Sequence, residues 1–266
     1  MPSIYDQNYL KKEQYKTPTN LQSRINLHRS YSTNPTPWHE WVFDQIALQT
    51  GSCVLELGCG PGDFWITNLS RLPAGLDITL ADLSLGMVQS VKSALIEHDE
   101  FHFVCNDALA IPVSYAKFNC IIANHMLYHV PDIEQACREI SRVLMPDGIF
   151  IAATNGIGHM QELHSLIRNL NPQYKEYNFD LSRFSLENGA EILGRYFSHI
   201  DQQIYTDHLE VKNSEALLGY VMSMTHAMGK LDVDLLRSFE DHVELQIADN
   251  GYFFIEKSLG LFIAKK

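Results

Sequence analysis

The chain has 266 residues, enough for one large domain or for a core domain with a smaller attachment. With 45% hydrophobic and 20% charged residues it has a globular protein's balance, and it holds no apolar run long enough to cross a bilayer. Its net charge of −12 repels phosphate backbones, so a nucleic-acid partner would need a local basic patch.

The opening stretch, MPSIYDQNYLKKEQYK, lacks the basic-then-apolar layout of a secretory signal. Lys11, Lys12, Lys16, Arg24 and Arg29 give residues 1–30 a local excess of positive charge, whereas residues 201–250 are strongly acidic. Neither segment forms a block of like charge, so both read as solvated helix faces. Residues 1–50 read as helical with a turn at STNPTP (32–37), and form an N-terminal lid. Its aromatics Tyr5, Tyr9, Tyr15, Tyr31, Trp38 and Trp41 either line a pocket for a flat substrate or pin the lid to the core.

From residue 53 the pattern changes. CVLEL (53–57), LDITLAD (76–82), FHFVC (101–105), FNCIIAN (118–124) and GIFIAAT (148–154) are short apolar runs that read as strands. Between them GDFWITNLSRL, SLGMVQSVKSALIEH and DIEQACREISRVLM carry apolar residues at helical spacing. Strands alternating with helices predict repeated βα units and a doubly wound, mostly parallel sheet, with 51–155 as its cofactor-binding part. Cys53, Cys59, Cys105, Cys120 and Cys137 form no C-x-x-C pair and read as reduced thiols, which points to the cytoplasm.

Beyond 155, HMQELHSLIRNL (159–170) reads as a helix stopped by Asn171-Pro172, and SLENGAEILGRYF (185–197) as another. HIDQQIYT (199–206) reads as a strand. Helices are expected over 214–229 and 232–251, then a strand or hairpin over 252–266. These residues, 156–266, complete the core and add cap helices.

The chemistry concentrates where the first strand ends. Gly58, Gly60 and Gly62 let the backbone approach a ligand with no Cβ in the way, at a helix start whose N–H groups favour an anionic group. Asp82 ends the next strand, where a carboxylate reaches a ribose hydroxyl in a doubly wound fold. Together they point to an adenosine-containing cofactor. The spacing is G-x-G-x-G, not the G-x-G-x-x-G of dinucleotide sites.

Here the sequence resembles the class I methyltransferases that use S-adenosylmethionine. VLELGCGPGDFW is similar to their first motif, ITLADLSLGMV to the second, CNDALAIPV to the third, FNCIIANHMLYHVPD to the fourth, and REISRVLMPDGIFIAAT to the helix, turn and fifth strand. The resemblance covers 53–154, with Asn119 where the family usually has Asp and MPDG in place of Pro-Gly-Gly. It implies a Rossmann-like seven-stranded sheet with a helical cap formed by segments 1–50, 156–182 and 207–250. It also implies a cofactor site of Glu56, Gly58, Gly60, Gly62, Asp82 on the ribose, Leu83 and Met87 beside the adenine, Asp107 at the adenine amino group, Ala108 at its ring, and Asn106, Asn124 and His125.

The implied activity is methyl transfer to oxygen or nitrogen of a small molecule. The other readings are a silent S-adenosylmethionine-binding module and an NAD(P)-dependent oxidoreductase. An activated methyl needs mainly an acceptor held at attack distance in a dry pocket, with a base only where a proton must leave early. Tyr128 and His129 are the candidates for that role; alternatively His129 packs the loop while His125 touches the cofactor. His125 and His129 are four apart, but no third ligand stands at a metal-binding spacing, so no metal is expected. A small-molecule partner is expected, with neither nucleic acid nor membrane.

Overall fold

The computed structural model describes residues 19–171, 182–223 and 233–266. Two helices, α1 (Thr19–Tyr31) and α2 (Trp38–Asp44), precede the first strand, β1 (Cys53–Leu57). Then α3 (Asp63–Asn68), β2 (Asp77–Asp82), α4 (Leu85–Leu95), β3 (Phe101–Cys105), β4 (Phe118–Asn124), α5 (Ile133–Val143) and β5 (Leu144–Asn155) alternate as the apolar runs predict. Successive strand residues point to opposite faces, and both faces are buried. Leu55, Leu57, Ile121 and Ala123 enter one core with the α5 stripe Ile133, Ala136, Cys137, Ile140 and Val143. Val54, Ile78, Leu80 and Ile122 enter the other, with Trp65, Val91 and Leu95 from α3 and α4.

The sheet has seven strands in the order β3-β2-β1-β4-β5-β7-β6. β1 to β5 are parallel, and β7 (Phe253–Lys265) runs antiparallel to both β5 and β6 (His199–Val211), so the sheet is mixed at that edge. Chain order reverses around β1 and β4, which opens a crevice above their carboxyl ends. Asn119, one of the two departures from the motifs, accepts a hydrogen bond from the Cys53 N–H at 2.8 Å and stitches β4 to the start of β1.

Several bounds differ from those expected. β5 begins four residues early, because Phe118 pairs with Leu144 and Cys120 with Ile149, and the MPDG turn is absorbed as a bulge between them. Only Gly189–Leu193 (α7) of the expected helix 185–197 is α-helical. The Asn188 side chain accepts from the Ser185 N–H at 2.7 Å and donates to the Ser182 carbonyl at 2.6 Å, and such local bonding competes with a helix. The last stretch is one strand rather than a hairpin. β6 runs on to Val211, so residues 207–211 belong to the sheet and not to the cap.

α6 (Gln161–Leu170), α8 (Ser214–Ser223) and α9 (Val233–Asn250) form the cap, packing with Leu27 of α1 on Leu209, Val211 and Ile255. Parts of the expected lid (1–18), of the cap segment (172–181) and of the helix over 214–229 (224–229) lie outside the described residues. Among the described residues no helix is long and apolar enough to cross a membrane.

One polar cluster fastens the N-terminal segment. Asp207 on β6 faces Lys257 on β7, directly across the ladder, and the two form a buried ion pair. The Asp207 carboxylate also accepts from Ser32 Oγ at 2.6 Å and from the Thr33 and Asn34 N–H groups at 3.0 Å. Tyr205 Oη donates to the Thr36 carbonyl at 2.7 Å. The connector between α1 and α2 is thus bound along the β6 edge.

Candidate active site

β1 delivers the chain into a loop where Gly58, Gly60 and Gly62 all have positive φ, a backbone state that costs other residues about 1–2 kcal/mol. The protein itself demands two of them. A Cβ on Gly58 would lie 2.7 Å from Met126 Cβ, and one on Gly62 would overlap Val91 Cγ2. Asp82 holds the loop from the next strand: its carboxylate accepts from the Gly60 N–H at 3.0 Å and from the Ser84 N–H at 2.8 Å. Burial raises its pKa, while these bonds oppose the rise.

A cavity of about 660 Å³ opens above this loop. Glu56, Gly58, Gly60, Asp82, Leu83, Met87, Asn106, Asp107, Ala108, Asn124, His125, Tyr128 and His129 all line it. Gly62 does not; it sits against α4 as the N-cap of α3. Glu56 is buried and accepts from the Trp65 indole N–H at 2.6 Å, and burial pushes its pKa up to about 8. Asp107 accepts from the Leu109 N–H at 3.0 Å, which fixes the turn after β3. Asp63, at the first position of α3, borders the same end of the cavity, and its buried Oδ2 has no hydrogen-bond partner.

The opposite end has another chemistry. His125, in the left-handed region at φ 56°, follows β4, and its N–H donates to the Ala153 carbonyl. Its ring lies 5.1 Å from that of Trp38, whose indole N–H donates to Asn124 Oδ1 at 3.3 Å. The Tyr128 ring packs 4.7 Å from that of His129. Burial lowers the pKa of both His125 and His129 to about 3, so each imidazole is neutral at neutral pH. Arg24, His28, His159, Tyr205, Tyr220 and Lys257 complete this end. No cluster of three or more His, Cys, Asp or Glu suited to a metal occurs among the described residues.

Asp63, Arg24, His28, His159 and Lys257 were not among the residues expected from the motifs. Asp63 directly follows the third glycine, and Arg24 and His28 share a helix face through their i, i+4 spacing. Lys257 carried a plainer signal: on the strand Phe253, Ile255, Lys257, Leu259 it occupies the buried phase of the alternation. His159 carried none, since only the fold brings it beside α1. Of the N-terminal aromatics, Trp38 lines the cavity and also stacks on Trp41 at 5.4 Å, so it serves both alternatives. Tyr5, Tyr9 and Tyr15 lie outside the described residues.

Residues 55–152 match the family model described as a methyltransferase domain. The chain is 34% identical over 116 residues to a ubiquinone/menaquinone biosynthesis C-methyltransferase of Hahella chejuensis, covering 42% of this chain and 46% of that protein. It is 34% identical over 113 residues to a malonyl-[acyl-carrier protein] O-methyltransferase of Pseudescherichia vulneris, covering 42% of each. The chain thus spans less than half the length of these curated relatives. Its fold superposes on Haemonchus contortus phosphoethanolamine N-methyltransferase 2, solved with S-adenosyl-L-methionine, with a TM-score of 0.61 at 20% identity, over 100% of this chain and 60% of that one.

Proposed function

We propose that this chain, whose residues 55–152 belong to the class I S-adenosylmethionine-dependent methyltransferases, moves a methyl group from that cofactor to oxygen or nitrogen of a small molecule. One observation carries the reading. The carboxyl groups of Glu56, Asp63, Asp82 and Asp107, at or just after the ends of β1, β2 and β3, line a single cavity, and one buried oxygen there, Asp63 Oδ2, lacks a partner. A cofactor bearing an ammonium and a sulfonium offers a partner to that oxygen, and its ribose hydroxyls suit Asp82. When bound, it supplies a methyl carbon already activated for in-line displacement.

The protein's share is placement and dryness. Met87 and Ala108, both buried, offer apolar surface to a flat ring, while Leu83 borders the same space. Trp38, His125 and Tyr128 wall the far side of the cavity from water. His129 and Tyr128 border the space left for the acceptor. A neutral imidazole there accepts a hydrogen bond from an O–H or N–H and aims the lone pair. Its lowered pKa argues that it orients the acceptor rather than storing the proton. The relatives do not fix the atom, because they are a C-, an O- and an N-methyltransferase.

The test is a melting-temperature comparison with each cofactor. S-Adenosylmethionine and its demethylated product should raise the melting temperature in proportion to the logarithm of their concentration, and NADH should not. A rise with NADH alone would replace this reading with the oxidoreductase one.

A further inference from the structure

We propose that the methyl acceptor carries an oxyanion, a carboxylate or a phosphate, received by Arg24, His28 and His159 at the end of the cavity away from the glycine loop. This rests on the methyl-transfer reading, because it takes the carboxylate-rich end to be the cofactor's. Arg24 is 8% exposed, and among the described residues its guanidinium donates only to Ser223, to Oγ at 3.0 Å and to the carbonyl at 3.1 Å. Among the described residues no carboxylate pairs with it. A guanidinium cannot shed its charge, and a buried one without a counter-ion is costly. Lys257, on the same wall, is different, since Asp207 already answers it.

Two imidazoles complete the receptor. The His28 and His159 rings stack at 5.9 Å, and the Nδ1 of each is buried without a hydrogen-bond partner. With Asp63 Oδ2 these are the three buried side-chain nitrogen or oxygen atoms without a hydrogen-bond partner among the described residues, and all three residues border the same cavity. Arg24 and His28, one turn apart on α1, face it together with His159 from the loop before α6. Burial is the main cause that keeps these rings neutral, and the permanent charges nearest them are mostly cationic. Lys257 and Arg24 act on His28 and Lys257 on His159, and Asp207 opposes at His28. An entering anion would reverse that balance and favour protonated rings, each with two donors. A neutral hydroxyl would satisfy one imidazole and leave Arg24 unanswered. A carboxylate or phosphate has lone pairs enough for a forked guanidinium and both rings.

The test is calorimetric titration of the full chain saturated with S-adenosylhomocysteine, using benzoate, inorganic phosphate and the neutral benzamide. At least one anion should bind saturably and at least about tenfold more tightly than benzamide, and the tighter anion distinguishes carboxylate from phosphate. Binding should take up protons, read from its dependence on the buffer's ionisation heat. Arg24→Met and the double variant His28→Phe/His159→Phe should each weaken the anion about tenfold or more while S-adenosylhomocysteine affinity holds, which reports an intact fold. Absence of binding by both anions, benzamide binding as well as benzoate, or unchanged anion affinity in both variants would overturn the proposal. If a variant fails to fold, the contrast between benzoate and benzamide on the unaltered chain decides. Failure of S-adenosylhomocysteine to bind would count against the methyl-transfer reading alone, and the same titration of the unloaded chain would still decide the anion site.

Discussion

At the residue scale, Asp82 has two duties, and they can be separated. It holds the amides of Gly60 and Ser84, and it faces the space assigned to the ribose. In Asp82→Asn one side-chain atom becomes a donor facing an N–H, so the loop loses one tie and the cofactor loses a charged acceptor. Calorimetry should show S-adenosylmethionine binding weakened by about 1.5–3 kcal/mol, and unchanged affinity would displace the ribose from this residue. Glu56 gives a second reading, through pH. Its folded pKa near 8 lies above its ordinary 4.5, so the stability held in its protonated form is full below 4.5 and lost as pH rises towards 8. His28, His125 and His129 have the opposite sign: lowered from 6.5 to about 3, they favour the folded state above 6.5 and surrender that as pH falls. Glu56→Gln should therefore raise the urea midpoint at about pH 8.5 and leave it unchanged at about pH 4. The unaltered chain should lose stability steeply from about pH 6.5 to about pH 4. The motif residues of this site were legible because one short segment of chain, β1 with its loop, dictates their geometry. Arg24, His28 and His159 were not, since their meeting depends on how α1 and α6 dock.

At the element scale, the parallel half of the sheet was readable to within a residue or so, because β1 to β4 are short apolar runs closed by turns. The errors fall where tertiary pairing overrides local pattern. β5 starts early because Phe118 offers Leu144 a partner, and β6 extends because β7 pairs along its whole length. The N-terminal segment reads as a lid, and its described part is fastened to β6 at residues 32–36. Asp207 is the centre of that fastening. Asp207→Asn leaves Lys257 buried without a counter-charge, which should destabilise the protein by about 3–5 kcal/mol. Amide exchange should quicken first in residues 32–36 and α1. Removing both charges, as Asp207→Asn with Lys257→Met, should restore much of the stability, since no charge is left buried while the amide oxygen still accepts from residues 32–34. If the double variant is no better than Asp207→Asn, the ion pair is not what the segment depends on.

At the scale of the whole molecule, the cavity has two poles. Carboxylates crowd the end built by β1, β2 and β3, while a guanidinium and neutral imidazoles crowd the end built by α1, the loop after β4 and the loop before α6. The negative net charge says nothing of this division, which is set by which loops the sheet brings together. Methyl transfer in this cavity requires the carboxylate end to be the cofactor's. A crystal structure of the chain with S-adenosylhomocysteine tests that directly. It should place the ribose hydroxyls within hydrogen-bonding distance of Asp82, the adenine beside Leu83, Met87 and Ala108, the ammonium near Asp63, and the sulfur facing His129 and Tyr128. The ligand lodged among Arg24, His28 and His159 with the glycine loop untouched, or absent from the cavity altogether, would contradict the account.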